Sequence, residues 1–251
     1  VPCLRPEVVC GALFERDAQD IDVHALHQGF LRGVRRAGGE LRCGMQLTAA
    51  THDGQAWTVT LGDGESVRAG TIVNAAGAWA DELAKVFGAA PIGLEPRRRS
   101  AFTFRPPEGL DVHAWPAVVG VDESYYFKPD AGVLLGSPAN ADPVPPHDVV
   151  PEELDIAMGI HQIESVTTLQ IRRPASTWAG LRSFAPDGEI VIGWDGGCPG
   201  FFWLAGQGGY GIQSAAGASE LAAALVCGDP LPLSLAQQGV DPHAVSPQRL
   251  R

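Results

Sequence analysis

Apolar positions recur along this chain with helical spacing in some stretches and as short runs or alternations in others. Residues 8–15 (VVCGALFE) read as a strand. In residues 20–41, Val23, Leu26, Phe30, Leu31 and Val34 recur at helical spacing; Asp20 or Asp22 can cap the start, and Gly38-Gly39 stop it. Strand texture follows at 40–50. Residues 57–61 and 66–68 then flank Gly62-Asp63-Gly64 as a hairpin. Residues 71–73 form a short buried strand that runs into Asn74-Ala75-Ala76-Gly77, and 79–87 read as a helix ending at Gly88. From 91 to 148, strand-like stretches are broken by many prolines, which predicts a largely antiparallel sheet. Pro151 opens a helix through about 166, with Leu154, Met158 and His161 on one stripe and Ile156, Ile160 and Ile163 on another. Strands at 188–194 and 201–205 precede a helix at 212–226, and there is no internal repeat. The pattern predicts an α/β domain from 1–90 and 175–251, interrupted by a second domain at 91–174.

Composition narrows the function classes. The 251 residues are 45% hydrophobic and 19% charged, enough for a sizeable core and against disorder. A net charge of −11 sets aside nucleic acid and anionic lipid as partners. No apolar run approaches the ~20 residues of a spanning helix, so there is no strong membrane signal. Cys3, Cys10, Cys43, Cys198 and Cys227 are scattered and form no CxxC pair, which fits a reduced, cytoplasmic setting. Seven histidines show no HExxH; His24 and His27 lie a turn apart without a third ligand, so no metal is expected. The start lacks an initiator Met and a signal peptide and reads like the middle of a protein.

Residues 206–211, GQGGYG, match GxGxxG between an apolar strand and a helix. Glycines allow a tight turn there, and a helix N-terminus offers free N–H groups and a positive dipole end. A dinucleotide site would need a second parallel strand ending in an acid ~20 residues on. Here the helix runs into Cys227-Gly228-Asp229-Pro230 instead. The loop therefore reads as a ligand-facing helix terminus and not as a pyrophosphate site. Strand alternation lets only one of Tyr125 and Tyr126 face a given pocket. Arg97-Arg98-Arg99 reads as solvated surface, and Glu152, Glu153 and Asp155 as first-turn charges on the helix dipole. Arg182, in WAGLRSF, needs a carboxylate or an anionic ligand. Ser100 and Ser183 lack a nucleophile elbow, which removes hydrolysis.

The blocks DIDVHALHQGFLRG, TIVNAAGAWADELA, RRRSAFTF, DESYYFKPDAGVLLGSPANADP, IRRPASTWAGLRSFAPDGEIVIGW and GFFWLAGQGGYGIQ together resemble the flavin-dependent D-amino acid oxidase superfamily, and within it the bacterial D-arginine dehydrogenases. The resemblance covers essentially the whole chain but only the C-terminal two-thirds of such an enzyme. It implies an α/β (α+β) fold: a Rossmann-like FAD-binding domain, at 1–90 and 175–251, without its N-terminal βαβ, and an inserted mixed or antiparallel substrate domain at 91–174. A further segment or a partner chain would supply the pyrophosphate loop.

Residue by residue, the resemblance implies these roles. Leu47 would lie toward the adenine, and Ala75 and Gly77 would approach the cofactor. Gly180 and Arg182 would sit beside the isoalloxazine, with Arg182 also reaching substrate. Gly208, Gly209, Tyr210, Gly211, Ile212 and Gln213 would bring a helix N-terminus to the flavin pyrimidine edge. Arg99 and Tyr126 would clamp the substrate carboxylate, and the Gly209 carbonyl would accept from the amine. FAD is expected to be noncovalent, because no cysteine occurs in 178–185, the stretch through which some relatives attach it. The implied reaction is oxidation of D-amino acids, D-arginine-like, to imino acids by hydride transfer to flavin N5. A glycine- or sarcosine-type amine oxidase and a non-catalytic fragment that no longer holds FAD are the competing readings.

Overall fold

The structure, a computed structural model, describes all 251 residues. In chain order its elements are α1 (Val23–Arg36), β1 (Leu47–His52), β2 (Trp57–Leu61), β3 (Ser66–Ala69), β4 (Ile72–Asn74), α2 (Ala80–Val86), β5 (Glu95–Phe104), β6 (Val118–Val119), β7 (Tyr126–Asp130), β8 (Val133–Ser137), β9 (Asp142–Pro143), α3 (Glu153–Val166), β10 (Ser176–Phe184), β11 (Val191–Trp194), β12 (Phe201–Ala205), α4 (Gly211–Cys227) and α5 (Leu233–Gln237). They form two compact units. The flanking unit comprises Asp17–Glu95 and Ser183–Arg251, and the insert unit comprises Val1–Arg16 and Pro96–Arg182.

In the flanking unit β12 pairs antiparallel with β11 and parallel with β4, with Phe202 opposite Val73. Its side chains alternate between two cores, as strand geometry requires. Phe201 and Trp203 pack with Trp57, Val59, Ala84 and Phe87, whereas Phe202 packs with Ile192 and Leu221. The strand is thus covered on both faces, which explains its continuous apolar run, FFWLA. Asp81 on α2 accepts three backbone amides, from Ile92, Gly93 and Leu94, at 2.8–3.0 Å. Those bonds tie the segment to this unit and move its boundary to Glu95, beyond the residue 90 expected from the sequence. Asp195 accepts from the Trp203 indole at 2.9 Å and from the Gly197 and Cys198 amides at 2.8 and 2.9 Å, and pairs with Arg251. Burial alone would raise the Asp195 carboxyl; the Trp203, Arg251 and Gly197 donors prevail and hold it below the ordinary carboxylate range.

Helix α1 forms as its spacing predicts, with Asp22 Oδ1 accepting from the Ala25 amide at 2.8 Å and Gly38 in the left-handed region beyond its end. None of its residues is buried, however. Leu26, Gly29, Phe30, Gly33 and Val34 line an open apolar groove, with Phe30 47% exposed.

The insert unit holds a sheet of order β10-β5-β8-β7-β6, with β9 on β5; the strand pairs resolved by register are antiparallel, as expected. Phe102 and Phe127, in register across Gly136, and Phe104 and Leu134 in the next row point their side chains to the core. Helix α3 covers this face. Gly159 is required there, because a Cβ would lie 2.8 Å from the Pro138 backbone nitrogen.

Four expectations are corrected. Residues 8–15 are not a strand: no neighbouring strand pairs with them, and Leu13 is 99% exposed. Residues 1–16 join the insert unit and not the flanking domain, because Arg5 donates its amide to Val166 O and its Nε to Thr167 O, and Leu4 bridges Thr167. The strand expected at 40–50 begins only at Leu47, since its partner β2 ends opposite at Leu61. The downstream boundary falls after Arg182 and not at 174, because β10 extends the sheet alongside β5, where Ala175 N donates to Thr103 O. Gly180 and Arg182 therefore lie in the insert unit. No helix is long and apolar enough to cross a membrane.

Candidate functional site

The insert unit places its chemistry on the sheet face opposite α3. Strand β5 alternates, so Arg98, Ser100, Phe102 and Phe104 turn toward α3 and its core, and Arg97 and Arg99 turn the other way. The triplet expected as solvated surface is thereby split. Arg98 is buried: its Nε donates to Asp155 at 3.1 Å, and it pairs with Glu152 and, at 3.5 Å, with Asp142. The same Asp155 oxygen accepts from Ser100 Oγ and Asn140 Nδ2, each at 3.0 Å. Asp155 lies in the first turn of α3, as the sequence suggests, and is in addition a buried acceptor.

Arg99 has the opposite surroundings. It is half-buried, and its Nε is shielded from solvent with no hydrogen-bond partner. Its neighbour Arg98 is the one that meets Asp142, Glu152 and Asp155. Burial, then the like charge of Arg182, depress the Arg99 guanidinium from its ordinary value; Tyr126 and Glu123 act in the other direction. Two guanidinium groups and a phenol thus converge, and the carboxylate charge that reaches Arg99 is that of Glu123. A bidentate anion would satisfy the orphaned Nε and relieve the repulsion. Of the paired tyrosines, Tyr125 packs on the core and Tyr126 is the one beside Arg99. Lys128 follows Tyr126 at strand period on the same face, opposite Leu135 and in the row of Thr103. Gly180 is exposed on β10, and a side chain there would meet nothing within 4 Å. The sequence reading passed over Glu123 and Lys128; period-2 spacing from Tyr126 was the available signal for Lys128.

The flanking unit presents a second, separate set. Because β4 and β12 are parallel neighbours, the loops after both strands leave at the same sheet edge, the carboxyl end where α/β folds bind ligands. Ala75 and Gly77 are exposed in the first loop, behind the buried Asn74, whose Nδ2 donates to Ala80 O at 2.8 Å. In the second loop Gly206 and Gly208 adopt φ of 65° and 56°, and Gly208 donates its amide to Ser183 O at 2.8 Å. Tyr210 donates its hydroxyl to Gly188 O at 3.0 Å, which pins the loop. Gly209 is exposed. Helix α4 then opens with Gly211, half-buried against Gln207, and with Ile212 and Gln213 exposed. Its first turn has neither a side-chain cap nor an acid, so its amides remain free for an electron-rich ligand edge. Leu47, by contrast, packs against the core beside Trp57 and Val59.

The flavin implied by the resemblance fits this edge: a close-approach glycine loop, an acid-free helix N-terminus and a second loop lie along it. The 251 residues hold no further strand–GxGxxG–helix for a pyrophosphate.

Comparison with known proteins agrees. The chain is 28% identical over 214 residues to the hydrogen cyanide synthase subunit HcnC of Pseudomonas aeruginosa, covering 84% of this chain and 50% of that protein. Among solved structures it is similar to glycine oxidase from Geobacillus kaustophilus, with a TM-score of 0.70, 21% identity and coverage of 84% and 56% of the two chains. It is also similar to L-proline dehydrogenase from P. horikoshii, with a TM-score of 0.71, 21% identity and coverage of 86% and 60%. The chain spans about half the length of the curated relatives it matches. The sequence profile described as "FAD dependent oxidoreductase" (DAO) matches residues 2–225, and the chain therefore belongs to the DAO family of FAD-dependent oxidoreductases.

Proposed function

We propose that this chain serves the oxidation of amino acids to imino acids. The observation that carries the reading is the buried, unpartnered Nε of Arg99 beside Arg182 and Tyr126. Arg99 and Tyr126 hold the substrate α-carboxylate, and Arg182 supplies the second cation of the clamp. The Gly209 carbonyl accepts from the substrate amine. Ala75, Gly77, Gly180 and residues 208–213 border the flavin, and the amides opening α4 stabilise negative charge on it. FAD, when bound, would supply the two-electron acceptor for the hydride of the substrate Cα. No strong general base is required, in keeping with the absence of a histidine from either residue set.

Two substrate classes follow from different observations. The resemblance of the six sequence blocks supports basic D-amino acids, D-arginine first. The name of one relative, glycine oxidase, supports glycine, and sarcosine belongs with it as the N-methylated form of the same small amine. HcnC is described as a synthase subunit, which supports work alongside other chains, one of which, or a further segment, supplies the pyrophosphate loop. Five free cysteines support a reduced, cytoplasmic setting.

The test is a visible spectrum of the purified chain after incubation with FAD and desalting, repeated after anaerobic addition of D-arginine, glycine or sarcosine. Retained flavin that bleaches with D-arginine supports the leading reading, and bleaching with glycine or sarcosine alone supports the second. Retained flavin that none of them bleaches overturns amino-acid oxidation. Flavin lost on desalting supports the reading of a non-catalytic fragment.

A further inference from the structure

Between Arg98 and Phe102 the inserted sheet departs from a regular ladder. Strand β5 pairs with β9 through Arg98–Asp142 and with β8 through Phe102–Gly136. It covers that interval in four steps, whereas its partner takes six, from Gly136 to Asp142. The surplus chain loops out, with Ala139 at φ 51°, a left-handed conformation few alanines adopt. Ser100 has no strand opposite it on this side, yet it is fully buried and its backbone groups need partners. Side chains supply them. The Ser100 amide donates to Asn140 Oδ1 at 2.8 Å, and the Ser100 carbonyl accepts from Ser137 Oγ at 2.6 Å. Asn140 Nδ2 in turn donates to Asp142 at 2.7 Å and to Asp155 at 3.0 Å. Chemistry fixes the orientation of this amide, since only its oxygen can take an N–H and only its nitrogen can face two carboxylates. One side chain thus joins β5, β9 and α3 at the residue that follows Arg99.

We propose that Asn140 is a positioning residue: it holds the β5 backbone that aims Arg99 at the substrate carboxylate. The inference rests on the proposed clamp and adds what keeps its first cation in place. Arg99 is flanked by Arg98, whose side chain is anchored to Asp155 on α3, and by Ser100, whose amide hangs on Asn140. Its own Nε has no partner within the protein, which leaves the backbone to set its aim. Without Asn140 Oδ1 the buried Ser100 amide lacks an acceptor, and β5 regains one only by shifting. An ångström of slack at a clamp costs on the order of a hundredfold where geometry controls the outcome.

The test combines steady-state kinetics on D-arginine and glycine with calorimetric binding of pyruvate, an unreactive carboxylate, to the FAD-supplemented protein and its variants. Asn140→Ala is expected to raise KM about tenfold with kcat within about twofold, and to weaken pyruvate binding by a similar factor. Placed on Arg99→Ala, it should change neither any further, because the group it aims is gone. A merely structural loss would instead add to that of Arg99→Ala. Asn140→Asp is isosteric and keeps an acceptor for Ser100, but it sets a third carboxylate against Asp142 and Asp155. It should show the same pattern at about threefold, and it decides the matter if Asn140→Ala does not fold. Pyruvate binding decides where neither amino acid is turned over. Unchanged KM and pyruvate binding, or additive effects, overturn the role of Asn140 alone. Pyruvate binding that Arg99→Ala itself leaves unchanged overturns the clamp and the proposed function with it.

Discussion

Arg98 and Arg99 are chemically identical neighbours with opposite fates, and the difference is one of strand parity. Arg98 turns toward α3 and meets three carboxylates, whereas Arg99 turns away and meets another arginine. Removing each has a different consequence. Arg99→Ala is expected to raise KM by tenfold to about a hundredfold, the worth of a charge-assisted hydrogen-bond pair, while flavin stays bound. An unchanged KM in steady-state kinetics would contradict the clamp. Tyr126→Phe should raise KM about tenfold and Tyr125→Phe much less, because Tyr125 packs on the core. The reverse order would show that the wrong tyrosine faces the substrate. Little of this was legible in sequence. The residue types of the site were visible, but a run of three arginines resembles surface until parity and a covering helix are known. The left-handed Ala139 leaves no pattern at all.

Elements were easier to read where a period and a cap coincide. Helices α1, α3 and α4, the β2–β3 hairpin and the antiparallel character of the inserted sheet follow from spacing, proline and glycine alone. Residues 8–15 failed because an apolar run becomes a strand only beside a partner, and partners are a tertiary fact. Tertiary ties also fixed the element junctions. Asp155 joins α3 to β5 through Arg98 and Ser100, so Asp155→Ala takes the most buried of its three carboxylate partners from the Arg98 guanidinium. It should cost about 3–5 kcal/mol in denaturant unfolding, with part of the loss recovered in an Arg98→Met, Asp155→Leu double variant. Asp195 ties β12 to the chain's last residues. Its pKa is depressed in the folded state, so its stabilisation is complete above the ordinary carboxylate value of about 4 and is lost as pH falls through the native value. Thermal unfolding as a function of pH should show that acid limb, and Asp195→Asn should flatten it.

At the scale of the molecule, burial is uneven. Phe102 and Phe201 are fully enclosed, whereas Phe30 lies open on α1. Truncating Phe201 to Ala should cost about 3–5 kcal/mol, whereas Phe30→Ser should change unfolding by less than about 0.5 kcal/mol and should reduce self-association by light scattering. An equal loss at both positions would mean that the α1 stripe is covered in solution. The parallel pair of β4 and β12 carries a further consequence. Residues 72–74 hydrogen-bond with residues 201–203, and the entire inserted sheet is encoded between them. As the ribosome delivers the chain, Ile72 must wait for Phe201, while most strands of the inserted sheet are drawn from one continuous stretch and can pair during synthesis. The edge that carries the glycine loop is therefore among the last features to form, and a polypeptide stalled before Phe201 exposes β4 with its intended partner still unmade.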